Sequence, residues 1–485
     1  MKILILSHGT GGGHNAAAGA LKEEFRSRGH QVTMMEPFEL KGKVRGDMTS
    51  TFVNQLYIKS VQRIPHVFGF FYSLGEIYNK TVTDGPIMTP VYYWNKNMAK
   101  PLYNHIQKEK YDAIVTTHPY PGEMLAAIRN SGHHALPPTF WVSTDYHCIP
   151  MTRETNMDNY IIASPDLVPE YVERGIPKEK LYPLGIPVRK EFRTGLTKEQ
   201  ARTALGLEQD KKYFLISGGA VGSGKILEGV TLLAGRYLID DSVRIIAICG
   251  ANNFLYRQMK KLFSGKVIMM EHTDRMAEYM IASDVIITKP GGLSSTEAAS
   301  LCKPLIFISP IPGGLEGSNV KFFQSHEMAL YAKSINKHLI KSVEQYQDEA
   351  FAEKVSRNQD IYINRDAATD ISRLIEQKVE VGRDVCMGDN KSKIALDRKA
   401  ELERLEAEKA ERERQEAERQ RLKEEQAAAK VAAKEEARSA KEEAKKARLA
   451  QKLAAREAAK QAKAESQTTR RGLFRKAKQE TKPEE

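Results

Sequence analysis

The hydrophobic pattern divides the first 380 residues into short apolar runs separated by glycine-rich or polar turns. KILILS (2–7) is continuously apolar, as a strand buried on both faces of a parallel sheet must be, and a glycine loop and a helical pattern over 15–28 follow it. QVTMME reads as the next strand, which makes a β-loop-α-β unit at the start of the chain. YDAIVTTHP, TFWVSTDY and NYIIAS repeat the pattern, with a helix over MLAAIRNSG between the first two. A polar stretch, GLTKEQARTALGLEQDKK, then interrupts it. A second series begins with YFLISGG and continues through VRIIAICG, KVIMME, DVIITKPGG and PLIFISP. The pattern predicts an α/β protein of two doubly wound domains, residues 1–190 and 191–385, facing each other across a cleft.

Two stretches break this rhythm. LYIKSVQRIPHVFGFFYSLGEIYNK (56–80) crowds Phe68, Phe70, Phe71 and Tyr72 beside Lys59, Arg63 and Lys80. A buried helix and an interfacial, lipid-facing element both fit that composition. From about 386 onward the chain turns to Ala, Glu, Lys, Arg and Gln, with Glu three residues before a base in Glu406/Lys409, Glu411/Arg414 and Glu416/Arg419. That spacing suits a solvated helix, and apolar residues are too sparse for a coiled-coil seam.

Charge sharpens the reading of this tail. The chain of 485 residues carries a net +12, and 389–485 alone holds 28 basic against 21 acidic residues. The excess sits at the far end, around RRGLFRKAK (470–478), and would attract an anionic membrane surface or another polyanion alike. Four cysteines without CxxC spacing fit neither a disulfide framework nor a zinc site, so a reducing, cytoplasmic setting is expected. No window of about 18 apolar residues is present to span a bilayer.

Three motifs carry chemistry. In HGTGGGHNAAAGAL (8–21), Gly11, Gly12 and Gly13 let the backbone approach a ligand closely, and the following helix aims its free N–H groups at the same place, with His14 at the junction. SGGAVGSGK (217–225) nearly spells a phosphate loop, but Ile226 stands where magnesium would need Ser or Thr, which argues against an NTPase. The loop amides at Gly218 and Gly219 could still meet a diphosphate. In TKPGGLSSTEAASLCKPLIFISPIPGGLEGSN (288–319), Gly291 and Gly292 turn into a helix opened by Ser294, Ser295 and Thr296. Glu297, one turn in, is placed to accept from ribose hydroxyls, while Glu316 and Asn319 arrive from the end of the next strand.

The succession GTGGGH, STDY, GIPVR, SGGAVGSGK, TKPGGLSSTEA and PIPGGLEGSN resembles the lipid glycosyltransferases of family 28 that include monogalactosyldiacylglycerol synthase and the bacterial processive diacylglycerol glucosyltransferases. It is similar, more distantly, to the peptidoglycan enzyme that adds N-acetylglucosamine to lipid-linked muramyl pentapeptide. The resemblance covers residues 1–375 and implies a GT-B fold, a UDP-glucose or UDP-galactose donor, and inversion with no metal or other cofactor. The acceptor would be diacylglycerol or a glycolipid at the inner face of the cell membrane, with no nucleic-acid partner. It implies that Gly291, Gly292, Leu293, Ser294, Ser295 and Thr296 meet the phosphates, that Glu297 holds the ribose, and that Arg189 and Lys289 neutralise the leaving diphosphate. Thr273 would fall beside the uracil, and Glu316 and Asn319 would hold sugar hydroxyls or ribose. His14, with Asp145 nearby, would serve the acceptor hydroxyl as base or positioning group. Leu315 stands where the family often has Gln, and Ala220 where the peptidoglycan enzyme has Ser. A sugar transferase with another lipid-linked acceptor, and a nucleotide-binding scaffold acting through its basic tail, are the rival readings.

Overall fold

The computed structural model describes residues 1–9, 12–41, 90–131, 136–239, 241–308 and 315–386. Gly11, the aromatic cluster Phe68, Phe70, Phe71 and Tyr72, and the charged tail lie outside them. Two six-stranded sheets, all parallel, lie within the compact unit Met1–Gly388.

The first sheet has the order β2-β1-β3-β4-β5-β6. Its strands are β1 (Lys2–Leu6), β2 (Gln31–Met35), β3 (Ala113–Thr116), β4 (Thr139–Val142), β5 (Asn159–Ile161) and β6 (Leu181–Tyr182). The second has the order β12-β11-β10-β7-β8-β9. It is built from β7 (Lys212–Ser217), β8 (Val243–Ile248), β9 (Ile268–Met270), β10 (Val285–Thr288), β11 (Leu305–Ile308) and β12 (Leu330–Ala332). This is the GT-B arrangement of two Rossmann-like sheets. Every apolar run read as a strand forms one; β6 and β12, two and three residues long, are too short to show as runs.

The helices that position the site are α1 (Gly13–Ser27), α2 (Pro119–Asn130), α3 (Gly292–Ser300), α4 (Leu315–Ser325) and α5 (Ala367–Cys386). Helix α1 begins two residues earlier than the apolar pattern suggests, because Gly12 at φ +81° takes the left-handed turn that releases the helix directly from the loop. Helix α5 follows the second sheet in sequence but packs on the first. Ala367, Ala368, Ile371, Ile375 and Val379 form its apolar stripe and join Ile3, Ile5, Leu21, Phe25 and Val115 in one core. Arg28 reinforces the docking by a two-pronged contact with Glu376 at 2.7 and 2.6 Å, and the same carboxylate meets His30 Nε2 at 2.6 Å.

Each sheet reverses its winding once. In the first, β1 lies between β2 and β3, so the chain ends of β1 and β3 diverge into opposite crossovers; in the second, β7 lies between β8 and β10 in the same way. Such switch points leave a crevice at the carboxyl ends of the strands, where doubly wound sheets bind ligands. The motifs 8–14 and 217–225 leave β1 and β7, and Thr117–His118 and 289–292 leave β3 and β10.

Candidate functional site

Parallel register sets Leu6 beside Thr116, so the loop after β1 runs alongside the residue that follows β3. The Thr117 carbonyl therefore meets His14 Nδ1 at 2.6 Å, and the Thr144 hydroxyl is 3.1 Å from the same nitrogen. A carbonyl can only accept, so Nδ1 carries the proton and Nε2 keeps its lone pair. Burial pushes the imidazole down to about 4, assisted by the nearby His8, so the ring is neutral at pH 7. His118, the N-cap of α2, sits edge-on to His14 with ring centroids 4.5 Å apart. Its own pKa is held well below the ordinary range by burial and by His14 and His8 beside it.

Asp145 is joined to His14 through Thr144, whose hydroxyl donates to Asp145 Oδ2 at 3.3 Å. Burial raises the Asp145 carboxyl to about 6, against the hydrogen bond from Asn319 that lowers it. The loop after β4 carrying Thr144, Asp145 and Tyr146 lies directly on the N-terminus of α3. A methyl group on Gly292 would sit 1.9 Å from the Thr144 carbonyl oxygen. The glycine run of the first domain also meets the second: a methyl on Gly12 would be 2.7 Å from Ala220 Cβ, a clash, and one on Gly13 would be 3.7 Å from Leu293 Cβ, an ordinary contact.

On the second domain, Gly291 caps α3, and the amides of Gly292, Leu293 and Ser294 lack intrahelical acceptors, while Ser295 N–H already donates to the Gly291 carbonyl. Ser294 is half-buried, whereas Ser295 and Thr296 are buried. The Thr296 hydroxyl donates to the Gly292 carbonyl at 2.7 Å and so accepts from Tyr146 OH, also at 2.7 Å. Lys289 Nζ donates to Glu316 Oε1 at 2.7 Å, and a methyl on Gly219 would be 3.1 Å from Lys289 Cε. Gly218 turns so tightly that a methyl would lie 2.5 Å from the Ser223 carbonyl oxygen.

Glu297 is buried, and burial lifts its carboxyl to about 8, with Arg189 pulling it down and Glu191 pushing it up. Arg189 itself reaches Glu191 at 2.6 Å. Thr273 Oγ1 accepts from Arg275 N–H at 3.1 Å, one residue from Asp274, a carboxylate that helps raise the Glu191 pKa. Asn319 is completely buried and spends its amide on Asp145, Tyr146 and Pro290. The loops after β1, β4, β7 and β10 and the first turns of α3 and α4 thus meet in one place, bringing together most of the residues the motifs singled out.

Sequence reasoning attached no role to His118, Tyr120 or Trp94. His118 was visible in TTHP after β3, next to the switch point, and that position is the signal that marks it. With Tyr120 4.6 Å from His118, Trp94 6.3 Å from Tyr120 and Phe38 5.5 Å from Trp94, a file of rings leads from the His14 neighbourhood to a Trp94 that is 44% exposed. Among the described residues no helix is long and apolar enough to cross a membrane, and no cluster of His, Cys, Asp or Glu is arranged to hold a metal ion.

Residues 14–188 match the family model described as monogalactosyldiacylglycerol (MGDG) synthase, and 214–375 match the glycosyltransferase family 28 C-terminal domain. A processive diacylglycerol beta-glucosyltransferase of Bacillus pumilus is 29% identical over 385 residues, covering 78% of this chain and 95% of the relative. The enzyme of the same name from Bacillus subtilis is 28% identical, covering 70% and 84%. Among solved structures, the S. aureus MnaA–UDP co-structure superimposes with a TM-score of 0.53 at 13% identity, over 78% of this chain and 97% of that one. The UDP-GlcNAc 2-epimerase of Neisseria meningitidis bound to UDP-GlcNAc gives 0.51 at 15% identity, over 78% and 100%. These structural likenesses speak to the fold. Two matched domains in the same order, and relatives aligned along nearly their whole length, place the chain in the family of monogalactosyldiacylglycerol synthase and the family 28 glycosyltransferases.

Proposed function

We propose that the protein transfers a hexose, glucose in the first instance, from a UDP-sugar to diacylglycerol or a glycosyl-diacylglycerol at the cytoplasmic membrane surface, inverting the anomeric centre and using no metal. The observation that carries this reading is the state of His14: its Nδ1–H is committed to the Thr117 carbonyl, and its ring is neutral, so Nε2 is ready to take a proton. An acceptor hydroxyl is far too weak an acid to ionise alone at pH 7, and it must lose its proton as its oxygen bonds to the anomeric carbon. That proton passes to His14 Nε2. The bond from the anomeric carbon to the diphosphate oxygen breaks on the opposite face, and its electron pair leaves with UDP.

Charge growing on the departing diphosphate is met by the free amides of Gly292, Leu293 and Ser294 at the α3 N-terminus and by Lys289. Glu297 faces the ribose, with Arg189 close by. The file of rings from His118 to Trp94 offers an apolar approach to His14 for a lipid, with an exposed aromatic at its outer end. Names of the relatives favour diacylglycerol as acceptor and glucose as the sugar; the ligands named for the structural neighbours favour a uridine nucleotide.

The test is incubation with radiolabelled UDP-glucose or UDP-galactose and vesicles containing diacylglycerol, followed by separation of the lipids, with EDTA in a parallel reaction. Labelled glucosyl-diacylglycerol, formed equally with EDTA, is the expected product. Label that appears only as free sugar, or only on a lipid without a diacylglycerol backbone, refutes the proposal.

A further inference from the structure

Asn319 stands in the middle of α4, a helix of the second domain, yet most of what it holds belongs to the first. An asparagine amide offers two N–H donors and one carbonyl. Both bonds from Nδ2 are made, to Asp145 Oδ1 at 2.9 Å and to the Pro290 carbonyl at 2.9 Å, and Oδ1 accepts from Tyr146 N–H at 2.8 Å. The side chain is 0% exposed. One residue therefore pins the carboxylate and the adjoining backbone of the β4 loop to the turn that opens α3.

The rest of α4 lies along the same seam. Glu316 at its start holds Lys289 on the donor side. One turn beyond Asn319, Phe322 stacks on Tyr146 with centroids 4.6 Å apart, and Phe323 meets that ring edge-on at 5.1 Å. Just past its end, His326 Nε2 reaches Asp166 of the first domain at 2.8 Å. The seam has no slack at Gly292, where Thr144 and Asp145 sit on the bare α-carbon.

We infer that Asn319 is a positioning residue, not a donor contact: it orients Asp145 from across the domain boundary, so the chain Asp145–Thr144–His14 is assembled only while the donor-carrying domain is docked. The role of Asp145 in this inference rests on the function proposed above. Docking and base assembly become one event, and an undocked enzyme holds a nucleotide without a properly set acceptor site.

The hydrogen bond from Asn319 favours the ionised form of Asp145 against the burial that opposes it. The other groups facing this carboxylate are Glu316, which raises its pKa, Thr144 and Lys289, which lower it, and His14 beyond Thr144. Removing the amide donor therefore moves the Asp145 titration upward.

Asn319→Ala and the nearly isosteric Asn319→Asp test this. In both, kcat at pH 7 falls about 100-fold, as an ångström of misplacement in a reacting constellation does. UDP affinity by titration calorimetry without acceptor stays within about three-fold, and the acid limb of the kcat profile moves to higher pH by about one unit. Hydrogen exchange over residues 143–147 quickens at least about ten-fold, because the loop loses its clasp. Should Asn319→Ala melt below the assay temperature, Asn319→Asp, which keeps an acceptor for Tyr146 N–H but loses the donor to Asp145, supplies the kcat, affinity and pH readings, and Asn319→Leu the exchange reading. An unmoved pH profile with weakened UDP binding and intact kcat overturns the inference and makes Asn319 a donor ligand; so does unaltered exchange at 143–147. The exchange measurement needs no substrate. A wild-type protein that transfers no hexose defeats the proposed function while the clasp is still judged on exchange.

Discussion

Gly292→Ala isolates the contact between the two domains from the stability of either. The position is the first residue of α3, with no left-handed backbone to forbid a side chain, so alanine is favoured locally by up to about 1 kcal/mol. Its methyl would nevertheless stand 1.9 Å from the Thr144 oxygen and 2.9 Å from both Asp145 Cα and Asp145 Oδ1. Carbon and oxygen in ordinary contact are about 3.3 Å apart, so the β4 loop must retreat by roughly 1.4 Å. Two of those three atoms are backbone, and no rotamer change relieves the clash. A shift of that size in the carboxylate linked to His14 costs about 100-fold in turnover, or about 2.7 kcal/mol of transition-state stabilisation. The assay is hexosyl transfer to diacylglycerol vesicles at saturating donor, with UDP affinity by calorimetry and the melting temperature measured alongside. Turnover should collapse, while UDP binding and melting stay near wild type, because the amides of α3 remain in place. Gly19→Ala serves as the control: a methyl there meets nothing within 4 Å, and activity should be unchanged. Full turnover by Gly292→Ala would show that the tight seam is dispensable and would refute this reasoning.

His14→Ala should lower kcat by about 10²- to 10⁴-fold and leave UDP affinity by calorimetry unchanged, since Thr117, Thr144 and His118, which the ring meets, all belong to the first domain. Glu297→Gln should weaken UDP binding about ten-fold and abolish proton release on binding, because a carboxyl at about 8 is largely protonated in the free enzyme and hydrogen bonds accepted from two ribose hydroxyls favour its ionised form. The same group affects stability. Its folded pKa lies above its ordinary 4.5, so the native state binds more protons between those values and stability falls as pH rises through that window. Urea midpoints of Glu297→Gln should therefore decline less from pH 5 to pH 8 than those of wild type. Ile375→Ala, which empties a fully buried site on α5, should cost about 2–5 kcal/mol in chemical denaturation and loosen the first sheet, as hydrogen exchange of β1 would show.

Much of the fold was legible because buried parallel strands must be written as apolar runs: KILILS, YFLISGG and DVIITKPGG each became a strand of about the expected length. The glycine loops were legible as close approaches, though not what they approach. Gly12 and Gly292 abut the opposite domain, a fact that lives in the docking of two sheets and in no local pattern. Helix α5 shows the same limit: its apolar stripe is plain in the sequence, but nothing in it says that the stripe covers Ile3 and Val115, which lie hundreds of residues earlier. At the site, residue type announced polar chemistry without its direction. Thr296 opens a helix where phosphate could sit, yet its hydroxyl is taken by Gly292 and Tyr146. His118 stands in plain view after β3, but a lone histidine there is usually structural, and the neighbouring imidazole of His14 is what gives it meaning.

The state of His14 follows from strand order more than from its own neighbours in sequence. Because β1 pairs with β3 with Leu6 opposite Thr116, Thr117, the residue that follows β3, places its carbonyl against the loop leaving β1. That carbonyl fixes the proton on Nδ1 and turns the basic lone pair outward. His118 then closes one side of the ring with an imidazole that stays neutral, so no positive charge accumulates beside the base before the reaction. The second sheet repeats the construction for the other substrate. Ser217 of β7 pairs with Thr288 of β10, which sets Gly218 and Gly219 beside Lys289 at the place where the diphosphate would lie. The neutral His14 and the meeting of Lys289 with the loop after β7 are thus both products of strand register at a switch point. The glycines and Asn319 bring the two registers within reaching distance of one sugar.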